Sequence, residues 1–89
     1  MDSEKVLEVI ERYRKFFRGV NIHPDEFPDV DELKVVLHCY AMLDKMEGFI
    51  SEGRMEKTFR WLGFIQGCLW SLGIYSLEDL KNHNKPKEN

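Results

Sequence analysis

The sequence predicts an all-α domain: a long antiparallel helical hairpin, an N-terminal helix packed against it, and a short capped helix at the end. Three observations carry that expectation. Apolar residues recur at the helical period through most of the 89 residues, and no segment alternates at the strand period of two. Helix-stopping residues fall between the periodic segments, at Gly19, Pro24 and Pro28, Gly53, and Gly73. The composition, 43% hydrophobic and 33% charged, suits one globular domain over 1–89 with a single modest core.

The first helix is expected over about 3–18, capped by Ser3. Val6, Val9, Ile10, Tyr13, Phe16 and Phe17 fall within about a third of its circumference. Acidic residues come early and Arg14, Lys15 and Arg18 late, which suits the helix dipole. A connector over 20–30 follows, where each proline disfavours helix in the residue before it; Ile22 and Phe27 are expected to pin it to the core.

The second helix is expected over about 30–52. Its apolar residues spread over a wide arc: Leu33, Val36, Leu37, Tyr40 and Leu43 form one face, while Val35, Met42 and Phe49 lie nearly opposite Leu33. Such an arc predicts two neighbours. Ser51-Glu52-Gly53 then makes a tight link to an antiparallel third helix over about 54–72, stopped by Gly73. Ser76 with Asp79 forms a capping box, and Tyr75 against Leu80 a hydrophobic staple, starting a fourth helix over about 77–83. Residues 84–89 are polar and expected to fray.

Composition narrows the chemistry. A net charge of −3 argues against a nucleic-acid binder, which needs a basic face. The apolar run from Trp61 to Tyr75 falls short of the roughly 20 residues of a membrane span, and Gln66 interrupts it. Charged residues from Asp2 onward form no signal-peptide pattern, and Cys39 and Cys68 lack metal or redox spacing. A cytoplasmic chain with two reduced thiols is the expectation. The catalytic and phosphate-binding fingerprints are missing, so no enzyme and no cofactor are expected.

His23, Asp25, Glu26, Asp29, Asp31 and Glu32 cluster in the connector, but their spacing fits neither a calcium loop nor a zinc site. No metal is expected there. The acids complement a helix N-terminus, or form a protein-binding surface through Asp25, Glu26, Asp29, Asp31 and Glu32. Lys81, His83, Lys85 and Lys87 make a basic end, read as a solvated tail or as a phosphate-contacting arm.

The third helix has two unlike sides. Met55, Phe59, Leu62, Ile65, Leu69 and Leu72 centre on one, with Gln66 among them and expected to hydrogen-bond Tyr13 or Tyr40. The other carries Arg60, Gly63, Phe64, Gly67 and Ser71, flanked by Trp61, Cys68 and Trp70. A glycine inside a helix costs about 1 kcal/mol relative to alanine, so something is expected to approach closely at Gly63 and Gly67. Three occupants fit: another helix of the chain, a second subunit, or a planar ligand. For a ligand, Arg60 would clamp an anion, Trp61 or Trp70 would stack on a ring, and Gly63, Phe64, Gly67 and Ser71 would line the groove.

Arg60-Trp61-Leu62-Gly63-Phe64, Gln66-Gly67, Leu69-Trp70, Gly73, Tyr75, Leu77, Leu80 and His83-Asn84 with Pro86 resemble a family of small, uncharacterised helical proteins of tailed bacteriophages and prophages. The resemblance covers about the last third of the chain. It implies expression in a bacterial cytoplasm during infection and carries no established activity. The resulting expectation is a non-catalytic, homo-oligomeric (most simply dimeric) anti-defence binding protein that sequesters a small nucleotide-like ligand in the third-helix groove. Two alternatives stand beside it: an inhibitor of a host protein acting through the acidic surface, and a structural or regulatory accessory protein without a ligand.

Overall fold

The protein is described here by a computed structural model covering residues 1–19 and 30–86. Among these residues there are four helices and no strand: α1 (Ser3–Gly19), α2 (Val30–Ser51), α3 (Met55–Ser71) and α4 (Leu77–Asn84). The all-α class and the α2–α3 hairpin are as the sequence predicts. Helix α1 packs on α2 and α4, and α2 packs on both α1 and α3. That double contact accounts for the wide apolar arc of α2. Val36, Cys39, Met42, Leu43 and Met46 are its buried residues, and they meet Val6, Val9, Ile10 and Tyr13 of α1 and Leu62, Ile65 and Leu69 of α3 in one core. Ile22, Phe27, Asp25, Glu26 and Asp29 lie outside the described residues.

Local chemistry sets the helix ends. Helices α2 and α3 finish in the same way. Gly53 (φ 75°) and Gly73 (φ 73°) adopt the left-handed conformation that glycine reaches without a Cβ penalty. The next N–H then reaches back to the third-last helical carbonyl: Arg54 to Phe49 at 2.8 Å, and Ile74 to Leu69 at 2.9 Å. The Ser76–Asp79 box forms, with both reciprocal bonds at 3.0 Å. At α1 the cap is Asp2 rather than Ser3, since its carboxylate accepts from the Lys5 N–H at 2.8 Å. Arg14 ties α1 to α2, donating to Asp44 at 2.7 Å and to Glu47.

Three side chains depart from the sequence reading. Phe59 is 39% exposed, because Thr58 takes the inward position in that turn of α3. Leu37 is 53% exposed rather than part of the core face of α2. Asn84 does not fray: it closes α4, and its amide pairs with Gln66. Residues 87–89 of the expected tail lie outside the described residues.

Candidate docking face on α3

The α2–α3 contact buries one side of α3 and leaves the other bare. Glu56, Phe59, Arg60, Gly63, Phe64, Gly67, Trp70 and Ser71 are all exposed. At 100° per residue, Glu56, Arg60, Gly63, Gly67 and Trp70 fall in one stripe along the helix, spaced four and three residues apart in turn. Phe64 and Trp70 are each 52% exposed. Several large apolar side chains left exposed on one helix mark an interaction site more often than a lone exposed side chain does.

The glycines make this face low. A Cβ added at Gly63 or Gly67 meets nothing within 4 Å, and neither glycine has a positive φ. Among the described residues, then, no helix of the chain fills the notch, which removes the first of the three expected occupants. Gly67 separates two shallow, open depressions. One of about 400 Å³ runs between α2 and α3, lined by Val35, Phe64, Cys68 and Leu72 around the glycines. The other, about 390 Å³, runs between α3 and α4 beneath Trp70, Leu77 and Lys81.

The structure does not gather the expected ligand residues into one place. Gly63, Phe64, Gly67 and Ser71 share the first depression, and Gly67 and Trp70 the second. Arg60 lines neither. It is exposed and has no ion-pair partner among the described residues. Trp61 lies half a turn from Trp70 and packs edge-on against Phe49 of α2 (centroids 4.7 Å, interplanar 90°), with the Lys57 ammonium 5.6 Å from its ring. Phe64 stands beside His38 of α2, ring centroids 6.1 Å apart. Of the acidic set, Asp31 is exposed and Glu32 half-buried in the first turn of α2.

Beneath this face lies a polar network that sequence reasoning found only in part. The Gln66 amide donates to the Tyr13 hydroxyl at 3.0 Å, one of the two partners expected for it. It also exchanges hydrogen bonds with the Asn84 amide at 2.7 and 3.0 Å. Tyr13 in turn meets His83 Nδ1 at 2.9 Å. Tyr13 accepts from Gln66, so its own proton is available to His83 Nδ1 in the tautomer that carries hydrogen on Nε2. Burial pushes the Tyr13 hydroxyl up to about 12, so it keeps that proton. The network joins α1, α3 and α4 and sets α4 beside Trp70. Gln66 within an apolar stripe was the one signal of it in the sequence; His83 and Asn84 read there as parts of a solvated end.

Burial, and then the Arg12 cation, hold the His83 imidazole below its ordinary value. The sign follows. The unfolded chain takes up that proton first, so the contribution is fully present above about pH 6.5 and is lost as pH falls through the lower folded value. Asp79 is depressed by its bonds to Ser76, and its contribution is lost only below the ordinary carboxylate range, so the two windows separate. Urea midpoints measured from pH 7.5 to 5 are expected to fall with acidification, and His83→Leu is expected to flatten that slope while lowering the midpoint at pH 7.5.

Burial, reinforced by the neighbouring Cys68 thiol, pushes the Cys39 thiol well above its ordinary value, the opposite of what a nucleophile needs. His83 Nδ1 is taken up by the Tyr13 hydroxyl. Among the described residues no three His, Cys, Asp or Glu side chains are placed to share a metal ion, and no helix is long and apolar enough to cross a membrane. A polar depression of about 810 Å³ lies between the start of α1 and the end of α4, lined by Asp2, Lys5, Glu8 and Asn84 among others. No protein-family model, curated protein or solved structure matches the chain.

Proposed function

We propose that this chain is a non-catalytic binding protein whose working surface is the outward face of α3, and that the face takes a protein partner rather than a small molecule. One observation carries the reading: three exposed aromatic side chains, Phe59, Phe64 and Trp70, surround two helical glycines with open space above them. Glycines there are a cost to the isolated fold of about 1 kcal/mol each, and a backbone approached closely by a partner offsets it.

A nucleotide-like ligand is the weaker reading. Small-molecule sites are concave and enclose most of their ligand. Both depressions here are shallow, and Arg60 and Trp61 stand apart from them. A partner protein needs no such enclosure. The resemblance of Arg60–Pro86 to small phage and prophage proteins supplies the proposed setting, a bacterial cytoplasm during infection. Of the five residues of the acidic surface, Asp31 and Glu32 are described, in the first turn of α2.

The test is a photo-crosslinking amino acid placed at Phe64, with Lys15 on the exposed side of α1 as control, in cells producing the chain. A discrete adduct from position 64 and none from position 15 is the expected result. Equal yields from both, or no adduct from 64, would remove the docking face.

A further inference from the structure

We propose that the partner seated on α3 is a second copy of this chain, docked antiparallel about a twofold axis at the level of Ile65 along the helix, with Arg60 of each copy lying on the Trp70 ring of the other. This rests on the docking face described above and adds the identity and register of its occupant.

The argument is one of self-complementarity. A twofold contact sets residue i against j and j against i. Arg60 and Trp70 lie five residues on either side of position 65, about 7.5 Å along the axis in each direction. Antiparallel docking about that point therefore brings each Arg60 to the level of a Trp70, and each Gly63 to the level of a Gly67. The glycine pair permits close approach where the helices cross, and the flanking pair supplies a cation over an indole face, the strongest of the cation–π geometries.

Both members are unengaged among the described residues. Arg60 has no ion pair among the described residues, and Trp70, 52% exposed, has no ring or cation contact there. Trp61 and Phe49, by contrast, already carry Lys57 and Arg54. Parallel docking at the same level would set Arg60 against Arg60 and repel. The face thus carries its own complement in one orientation and not in the other.

The size of the contact sets its strength. Phe59, Phe64, Trp70 and Leu77 are 39%, 52%, 52% and 59% exposed. At 150–250 Å² for a whole aromatic side chain, they offer roughly 400 Å² of side-chain surface per copy. Doubled over two copies, that lies below the 1,200 Å² or so of a standard stable interface, so the dimer is expected to be reversible and concentration-dependent.

The experiment is sedimentation equilibrium of the purified full chain over a concentration series, with charge variants at position 70. Reversible dimerisation is expected for the unmodified chain. Trp70→Arg sets like charges against Arg60 twice per dimer and should weaken association by about tenfold or more. Trp70→Glu meets Arg60 with a carboxylate and should associate more tightly than Trp70→Arg. Arg60→Glu combined with Trp70→Arg should recover association. Far-UV circular dichroism confirms folding, which an exposed position leaves intact. A chain that stays monomeric up to its solubility limit, or equal association of the Arg and Glu variants, overturns the proposal.

The crosslinked adduct from position 64 separates the two levels. A mass of twice the chain supports the dimer. A mass corresponding to a different protein overturns the second copy while leaving the docking face standing. No adduct removes both.

Discussion

Replacing Tyr13 with Ala is expected to cost about 3–5 kcal/mol, a large share of the 5–15 kcal/mol by which a small domain is folded. Tyr13 is fully buried, and its ring contacts those of Tyr75 and His83 at 5.8 and 5.5 Å. Its removal leaves a cavity where α1, α3 and α4 meet. The hydroxyl has a separate effect. Tyr13→Phe keeps the ring but deprives His83 Nδ1 of its hydroxyl partner and Gln66 of one acceptor. Leaving such groups unpaired costs about 1–3 kcal/mol. Urea denaturation of the three proteins at pH 7.5 checks both steps. A Tyr13→Phe midpoint indistinguishable from the parent would mean the network holds nothing in place. The functional consequence lies at α4: with the Gln66–Asn84 pair loosened, Leu77 and Lys81 lose their fixed position beside Trp70.

The second large effect has the opposite sign. Gly63→Ala with Gly67→Ala is expected to stabilise the free chain by about 2 kcal/mol, since alanine is the better helix former and each new methyl meets open space. Gly48 of α2 is also exposed, with nothing within 4 Å of an added Cβ, and Gly48→Ala should raise the midpoint in the same way. It serves as the control, because it gains stability without touching the face of α3. Gly53→Ala and Gly73→Ala should do the reverse, as both glycines sit at positive φ where a Cβ is strained. Chemical denaturation of the four variants reads all of this. A loss of stability at Gly63 or Gly67 would mean that something in the chain already packs there.

These expectations also mark how far the sequence reaches. Helix ends were legible because their chemistry is local: the glycines at 53 and 73 and the Ser76–Asp79 box act within a few residues. The two neighbours of α2 were legible from the width of its apolar arc. The inward or outward turn of Phe59 was not, because Thr58 and Phe59 compete for one position and only the packing against α2 decides between them. Tyr13 and His83 are 70 residues apart, and no periodicity encodes a bond across that separation.

The candidate site divides in the same way. That α3 has two unlike faces follows from residue spacing, and so do the glycine notches. Which occupant they await did not follow, since the answer depends on where the other helices pack. With α1 resting on α2 and α4, no described helix of the chain lies over Gly63 and Gly67, and an intramolecular filler drops out. The opposed directions of Trp61 and Trp70 were already implicit in their nine-residue spacing. The engagement of Trp61 by Phe49 was not, because it depends on the pairing of α2 with α3 near their closed end.

The central claim is that the glycines of α3 are kept low for a partner and not for the fold. Its most direct test is the crosslinking yield from position 64 in a chain carrying Gly63→Leu and Gly67→Leu, with folding verified by urea denaturation. Two leucines rising into open space should leave the fold at least as stable while abolishing the adduct. An undiminished adduct from a folded variant would contradict the claim.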